Sequence, residues 1–197
     1  MPELKDELHS KLQASRAAVL SKLDNVSEYD RRRPMTPTGT NLLGLVKHLA
    51  GLEYGYLGES FGYPPPESLS WIEDGSIWRG ADMWARPDES TQYITGLYRR
   101  ACAHADGVIA KLDVDAPGSV AHWPEDRRAT TLGVLLIRMV AETAQHAGHA
   151  DIIRELIDGK GGSDQDAFDA ETWREYVAQI QTAAGAFISG PLANPAP

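Results

Sequence analysis

The sequence has a single cysteine, Cys102, in 197 residues. One cysteine excludes a disulfide within the chain and also a metal cluster built from several cysteines. Because Cys102 lies in the middle of a stretch with helical periodicity, we expect it to pack as a small apolar side chain rather than to act as a nucleophile.

Positive charge is also scarce. Lys and Arg number 19 against 28 Asp and Glu, which gives a formal net charge of −9 at pH 7. This balance argues against binding to a nucleic-acid backbone. The one basic run, Arg31 to Arg33, precedes Pro34 and is expected to be a solvated loop, although contact with an anionic substrate is an alternative. We therefore expect no nucleic-acid partner.

Long hydrophobic runs are absent. No apolar segment approaches the length that crosses a bilayer, and residues 1–7 are charged rather than signal-like. We therefore expect no membrane partner and a cytoplasmic location.

Hydrophobic periodicity of the helical kind is abundant, and 42% of the residues are hydrophobic. The pattern predicts an all-α fold with four long amphipathic helices around one core. A fifth helix would follow, carrying Phe168, Trp173, Tyr176 and Phe187. We expect residues 1–160 to form the bundle, residues 161–190 a helical extension of the same domain, and residues 191–197 a mobile tail. The four bundle helices are predicted at about residues 3–24, 41–61 (with Thr40 as its N-cap), 88–112 and 132–157.

The connection between the second and third predicted helices is long, from residue 62 to about residue 87. Neighbouring antiparallel helices need only a few linking residues, so this segment is expected to cross the bundle and join two helices that run in the same direction. It contains Trp71, Trp78 and Trp84 among Pro, Gly and Ser. These tryptophans could close one end of the bundle or stack on a substrate.

The fourth predicted helix carries Glu142, His146 and His149 at positions i, i+4 and i+7. At about 100° per residue these side chains share one stripe of the helix. His48, on the second helix, shares a face with leucines and is expected to point inward. A buried imidazole needs partners for its ring nitrogens, which a metal ion, a protein carbonyl, a carboxylate or water could supply. His9, His104 and His122 are expected to be exposed or structural.

Two ligand sets are compatible with this spacing. In the first, His48, Glu142 and His146 bind one metal ion, because residues at i and i+4 place their side-chain ends together. In the second, His48, His146 and His149 bind the ion, and Glu142 is a general acid/base. Glu142 and His149 are about 10.5 Å apart along the helix axis, which favours the first set.

The residues around His48 (47–50), the segment 142–155 and the Asp158-Gly159 pair resemble the DinB-like superfamily of metal-binding four-helix bundles. The likeness is greatest to the branch that includes mycothiol S-transferases and mycothiol-dependent maleylpyruvate isomerase. The resemblance implies a bundle with a long crossover between helices two and three. It also implies metal ligation by His48, Glu142 and His146, with His149 in the second sphere, at a position where many relatives have glutamine.

Two imidazoles and one carboxylate would leave a divalent ion with a net charge of about +1 and an open position. Zn²⁺ is the expected metal, and Ni²⁺, Fe²⁺ and Mn²⁺ also suit these ligands. We expect a transferase that activates a low-molecular-weight, mycothiol-like thiol for attack on an electrophilic small molecule, with His149 as a catalytic residue. A metal-dependent hydrolase and a non-catalytic, stress-related bundle are the alternatives. The aromatic fifth helix suggests a homodimer.

Overall fold

The computed structural model describes residues 3–162 and 165–188, and most of these residues lie in helices, as the hydrophobic periodicity predicts. The predicted tail, residues 191–197, lies outside the described residues. The all-α prediction is confirmed: the described part is helical apart from one short pair of strands. The helices are α1 (Leu4–Ser21), α2 (Glu28–Arg32), α3 (Leu42–Leu57), α4 (Ser70–Glu73), α5 (Thr91–Ile109), α6 (Leu132–Asp158) and α7 (Ala170–Gly185), and the strands are β1 (Pro117–Ser119) and β2 (Ala129–Thr131).

Helices α1, α3, α5 and α6 form the bundle. Helix α3 packs against both α5 and α6, and α1 packs against α6. Apolar side chains of these helices line the interior and form a core of two clusters, both mostly aliphatic. Its fully buried members include Leu12, Leu43, Val46, Leu49, Leu57, Ile94, Leu97, Leu135, Leu136 and Met139.

The start of α3 differs from the predicted one. The N-cap is Asn41 rather than Thr40, because the Asn41 side chain accepts a hydrogen bond from the backbone N–H of Gly44 at 2.8 Å. Gly44 itself is required by close packing, since a Cβ atom there would lie 1.8 Å from the backbone oxygen of Met83. The crossover therefore lies directly on the first turn of α3.

The crossover joins helices that run in the same direction, as its length predicts. Lys47, near the start of α3, pairs with Glu89 just before α5, and Tyr54, further along α3, contacts His104 further along α5. The segment is more ordered than predicted, because it contains α4 and a short 3₁₀ helix, Ser76–Arg79.

The three crossover tryptophans have different environments. Trp71 is buried in the core, with the Lys47 ammonium 4.4 Å from its ring centroid. Trp78 and Trp84 are exposed. Trp71 thus packs inside the bundle, whereas the other two present aromatic surface.

The segment before α6 contains an antiparallel pair of short strands, in which Gly118 lies opposite Thr130. One local prediction was wrong. The basic run expected in a solvated loop begins in α2, which Ser27 caps. Arg31 pairs there with Glu28, so its charge is compensated locally.

A buried ion pair links α1 to α3. Arg16 donates two hydrogen bonds to the Glu53 carboxylate, at 2.7 and 2.6 Å, and a third to Asp106 at 2.6 Å. Asp106 also contacts His9 at 2.7 Å. His9, which was expected to be exposed or structural, belongs to this network and thus has a structural role.

The described residues divide into two compact units on either side of Lys160. Helix α6 ends at that boundary, where Gly159 takes the left-handed conformation with φ of 75°. In the second unit, Phe168, Trp173 and Tyr176 contact one another through their rings.

Among the helices of both described ranges, none is long and apolar enough to cross a membrane.

Candidate metal centre

Helices α3 and α6 bring together the three residues of the first ligand set. Each of His48, Glu142 and His146 offers one ligand atom, and these atoms all lie within 4.8 Å of one another. The Glu142 Oε1 atom lies 3.7 Å from Nε2 of His48 and 3.4 Å from Nε2 of His146. The periodicity of α6 explains how Glu142 and His146 share a stripe, and the packing of α3 on α6 adds His48.

The donor set fits a divalent ion. Two imidazole nitrogens and one carboxylate oxygen are a ligand combination that catalytic zinc uses, with a further position left for water or substrate. The side chains of His48, Glu142 and His146 are 18%, 29% and 12% exposed, so the group is partly accessible to solvent. The same ligands suit other divalent transition metals.

Asp82 is the residue of this site that sequence reasoning missed. Its carboxylate lies 2.6 Å from Nδ1 of His48, and it is buried in the crossover. A carboxylate on one ring nitrogen of a metal-binding histidine fixes the ring orientation and raises the basicity of the other nitrogen. No local signal distinguishes Asp82 from the other acidic residues of the crossover, because only the folded chain places it beside His48.

The environment of His146 favours the neutral imidazole. Burial lowers the pKa of His146, and the nearby His48 ring lowers it further. Its Nδ1 atom lies 3.4 Å from Nδ1 of His149. His149 is exposed and does not belong to the group of donor atoms within 4.8 Å of one another. The second ligand set therefore lacks the convergence that the first one has.

The other candidate groups are placed elsewhere. His104 contacts the backbone oxygen of Tyr63 at 3.0 Å, and His122 contacts the Tyr56 hydroxyl at 3.3 Å. Burial raises the pKa of the Cys102 thiol to about 12, with a further contribution from the Glu53 charge. At neutral pH this thiol is protonated, which agrees with a packing role.

Comparison with known proteins identifies the family to which the chain belongs. A family model described as mycothiol S-transferase matches residues 7–159. The match includes the whole candidate metal centre and well over half of the chain. No curated protein matches the sequence. The chain belongs to the mycothiol S-transferase family.

Proposed function

We propose that this protein is a metal-dependent transferase that activates a low-molecular-weight, mycothiol-like thiol for attack on an electrophilic small molecule. The observation that carries the proposal is the convergence of His48, Glu142 and His146 at a partly exposed position, in a chain of the mycothiol S-transferase family. A divalent ion held there, with Zn²⁺ as the first candidate, supplies Lewis-acid chemistry that lowers the pKa of a coordinated thiol.

The protein groups around the ligands have separate tasks in this proposal. Asp82 holds the His48 ring so that its Nε2 atom faces Glu142. Burial keeps His146 neutral and hence able to offer a nitrogen lone pair. His149 lies beside His146 and is exposed to solvent, so we assign it to accept the proton that the thiol loses and pass it to water.

The reaction needs no oxidant or reductant. When the electrophile is an activated alkene, sulfur forms a bond to one alkene carbon and the π bond breaks. The neighbouring carbon then takes a proton, which balances the proton released by the thiol. A small neutral enone such as 3-penten-2-one, with mycothiol as the donor, is therefore a suitable first substrate pair.

The test compares metal-loaded protein, chelator-treated protein and three variants. We expect transfer to require the metal, and we expect His48→Ala and His146→Ala to lose both metal content and transfer. Cys102→Ala should retain both, because the Cys102 thiol is protonated and lies on α5. Metal content is measured by elemental analysis and transfer by the loss of enone absorbance.

Three results would contradict the proposal. They are full transfer after complete metal removal, a full equivalent of metal in both histidine variants, and hydrolysis of an ester or amide that proceeds without thiol while no thiol transfer is found. A fourth variant, Glu155→Gln, is the control for a substitution on α6 outside the site, because Glu155 is an exposed carboxylate on the same helix as His146 and is not among the converging donor groups.

We also propose that the protein associates as a homodimer through its second unit. Helix α7 has an amphipathic sequence, and Tyr176, Val177 and Ile180 are 47%, 55% and 52% exposed. A contiguous apolar face of this kind is typical of an interaction surface. Sedimentation should give a dimer at micromolar concentration, and Val177→Lys together with Ile180→Lys should shift it to a monomer. A wild-type monomer would contradict this assignment.

A further inference from the structure

The stripe of α6 that carries the metal-centre residues Glu142 and His146 continues toward the start of the helix. On α6, Arg138 precedes Glu142 by four residues, as Glu142 precedes His146, so all three share one stripe. On α3, Tyr56 follows His48 by eight residues and lies on the same stripe as that histidine. The two stripes meet again at this end, because the Arg138 guanidinium lies 4.8 Å from the centroid of the Tyr56 ring.

A cleft opens at this second meeting point. Its volume is about 250 Å³, and it is lined by Trp123, Pro124, Arg127 and Arg138. The Arg138 guanidinium lies 5.3 Å from the Trp123 ring centroid. Arg128 donates a hydrogen bond to the backbone oxygen of Trp123 at 2.8 Å, which holds the loop that carries the indole. The cleft thus places two guanidinium groups beside the Trp123 ring.

The two arginines that line this cleft form no ion pair with a carboxylate of the described residues. Several other arginines of this acidic chain do, as Arg16 does with Glu53. Within residues 3–162 and 165–188, neither Arg127 nor Arg138 has a carboxylate within 4.0 Å, and the Arg138 guanidinium lies against the rings of Tyr56 and Trp123.

The effect of this charge extends to His122. Burial lowers the pKa of His122, and the charge of Arg138 lowers it further, whereas Glu59 acts in the opposite direction with a smaller effect. The Arg138 guanidinium therefore acts electrostatically on the loop that carries His122 and Trp123.

We infer that Arg127 and Arg138 bind a carboxylate of one of the two substrates, so that either the thiol or the electrophile carries a carboxylate group. This inference rests on the proposed function. A guanidinium group binds a carboxylate through two parallel hydrogen bonds, which a point charge cannot imitate. The face of Trp123, which lines the cleft, would contact the apolar chain between the carboxylate and the reacting atom.

The spacing between Arg138 and the metal ligands indicates how far the carboxylate lies from the reacting atom of the preferred substrate. The Cα atoms of Arg138 and Glu142 are about 6 Å apart along the helix axis, and the guanidinium lies over Tyr56, further from the metal ligands. We therefore expect a carboxylate separated from the reacting atom by several bonds rather than attached next to it.

The first test measures binding alone. Isothermal titration of metal-loaded protein with 8-oxononanoate, which has no reactive alkene, is compared with titration of its methyl ester. We expect the acid to bind at least about tenfold more tightly than the ester, and we expect Arg138→Gln or Arg127→Gln to remove about tenfold of that affinity. Arg99→Gln is the control, because Arg99 is exposed on α5 and does not line the cleft.

A carboxylate could instead bind the metal directly, and the variants separate these cases. Affinity that persists in Arg138→Gln and disappears in His146→Ala would overturn the inference. Equal affinity for the acid and the ester in the wild type would overturn it as well. All variants are compared at equal helix content by circular dichroism.

The second test identifies which substrate carries the carboxylate. Transfer is measured with 8-oxonon-6-enoate and its methyl ester as electrophiles, and with N-acetylcysteine and its amide as thiols. A preference for the acid that Arg138→Gln abolishes supports the inference and shows whether thiol or electrophile occupies the cleft. Absence of any such preference would contradict it.

The outcomes also separate this inference from the proposed function. Transfer to the neutral 3-penten-2-one without carboxylate preference would retain the transferase and reject the carboxylate site. Arginine-dependent binding of 8-oxononanoate without any transfer would retain the site and reject the transferase.

Discussion

The Nδ1 atom of His48 lies 2.6 Å from the carboxylate of Asp82, although the two residues belong to different segments of the fold. The preceding residue, Lys47, is buried and binds Glu89 at 2.8 Å and the backbone oxygen of Trp84 at 3.1 Å. Two consecutive residues of α3 thus bind the crossover through polar groups, His48 at Asp82 and Lys47 at the backbone of Trp84. The position of the crossover and the orientation of the candidate metal ligand are therefore coupled.

This coupling predicts the effect of Asp82→Asn. The amide can still contact Nδ1, but it lacks the charge that raises the basicity of the His48 ring. We expect the dissociation constant for Zn²⁺, measured by competition with a chromophoric chelator, to rise by about 10 to 100-fold. Asp88→Asn is the matched control, because Asp88 is an exposed carboxylate that pairs with Arg86. An unchanged dissociation constant would show that Asp82 does not position the ligand.

A second prediction compares Glu142→Gln with His149→Gln under metal-saturating conditions. Because Glu142 belongs to the converging donor group and His149 does not, Glu142→Gln should bind metal more weakly. His149→Gln should keep its metal and turn over more slowly, since the glutamine cannot take up a proton. Elemental analysis and transfer rates are measured on the same samples. The reverse result would establish the ligand set with His149 and would make Glu142 the acid/base candidate.

Two arginine–glutamate pairs of similar geometry but different burial give a prediction about stability. Arg16 and Glu53 are 6% and 0% exposed, whereas Arg100 is 51% exposed in its pair with Glu67. Arg16→Gln should lower the free energy of unfolding by about 3–5 kcal/mol, because it leaves the Glu53 charge buried without its partner. Arg100→Gln should cost less than about 1 kcal/mol. Urea unfolding followed by circular dichroism measures both, and equal costs would contradict the role of burial.

The titration of His122 provides a pH-dependent prediction. Burial and Arg138 both lower its pKa, so in the wild type it should become protonated only below the usual range for histidine. Arg138→Gln removes a positive charge that opposes the imidazolium, so the pKa should rise while remaining depressed by burial. The NMR signal of the ring measures this shift, with Arg99→Gln as the control. A pKa that does not rise in Arg138→Gln would show that the guanidinium does not act on this ring.

Several features of this protein followed from the sequence because they depend on neighbours along the chain. The 3.6-residue period places Glu142 and His146 on one stripe of α6 wherever the helix packs. The apolar stripes of the long helices predicted the bundle, and the length of the segment after residue 61 predicted a crossover. The left-handed residue after α6 followed from Gly159, the residue type that adopts this conformation most easily.

Other features were decided by the tertiary structure alone. Asp82 is one acidic residue among several in the crossover, and only the packing of that segment on α3 places it beside His48. The choice of Asn41 over Thr40 as N-cap depends on backbone angles that the crossover contact helps to set. The contact of Arg138 with Tyr56 requires two helices to meet in one register. Periodicity determines which side chains share a face of one helix, whereas the partners across an interface are selected by packing between segments distant in the chain.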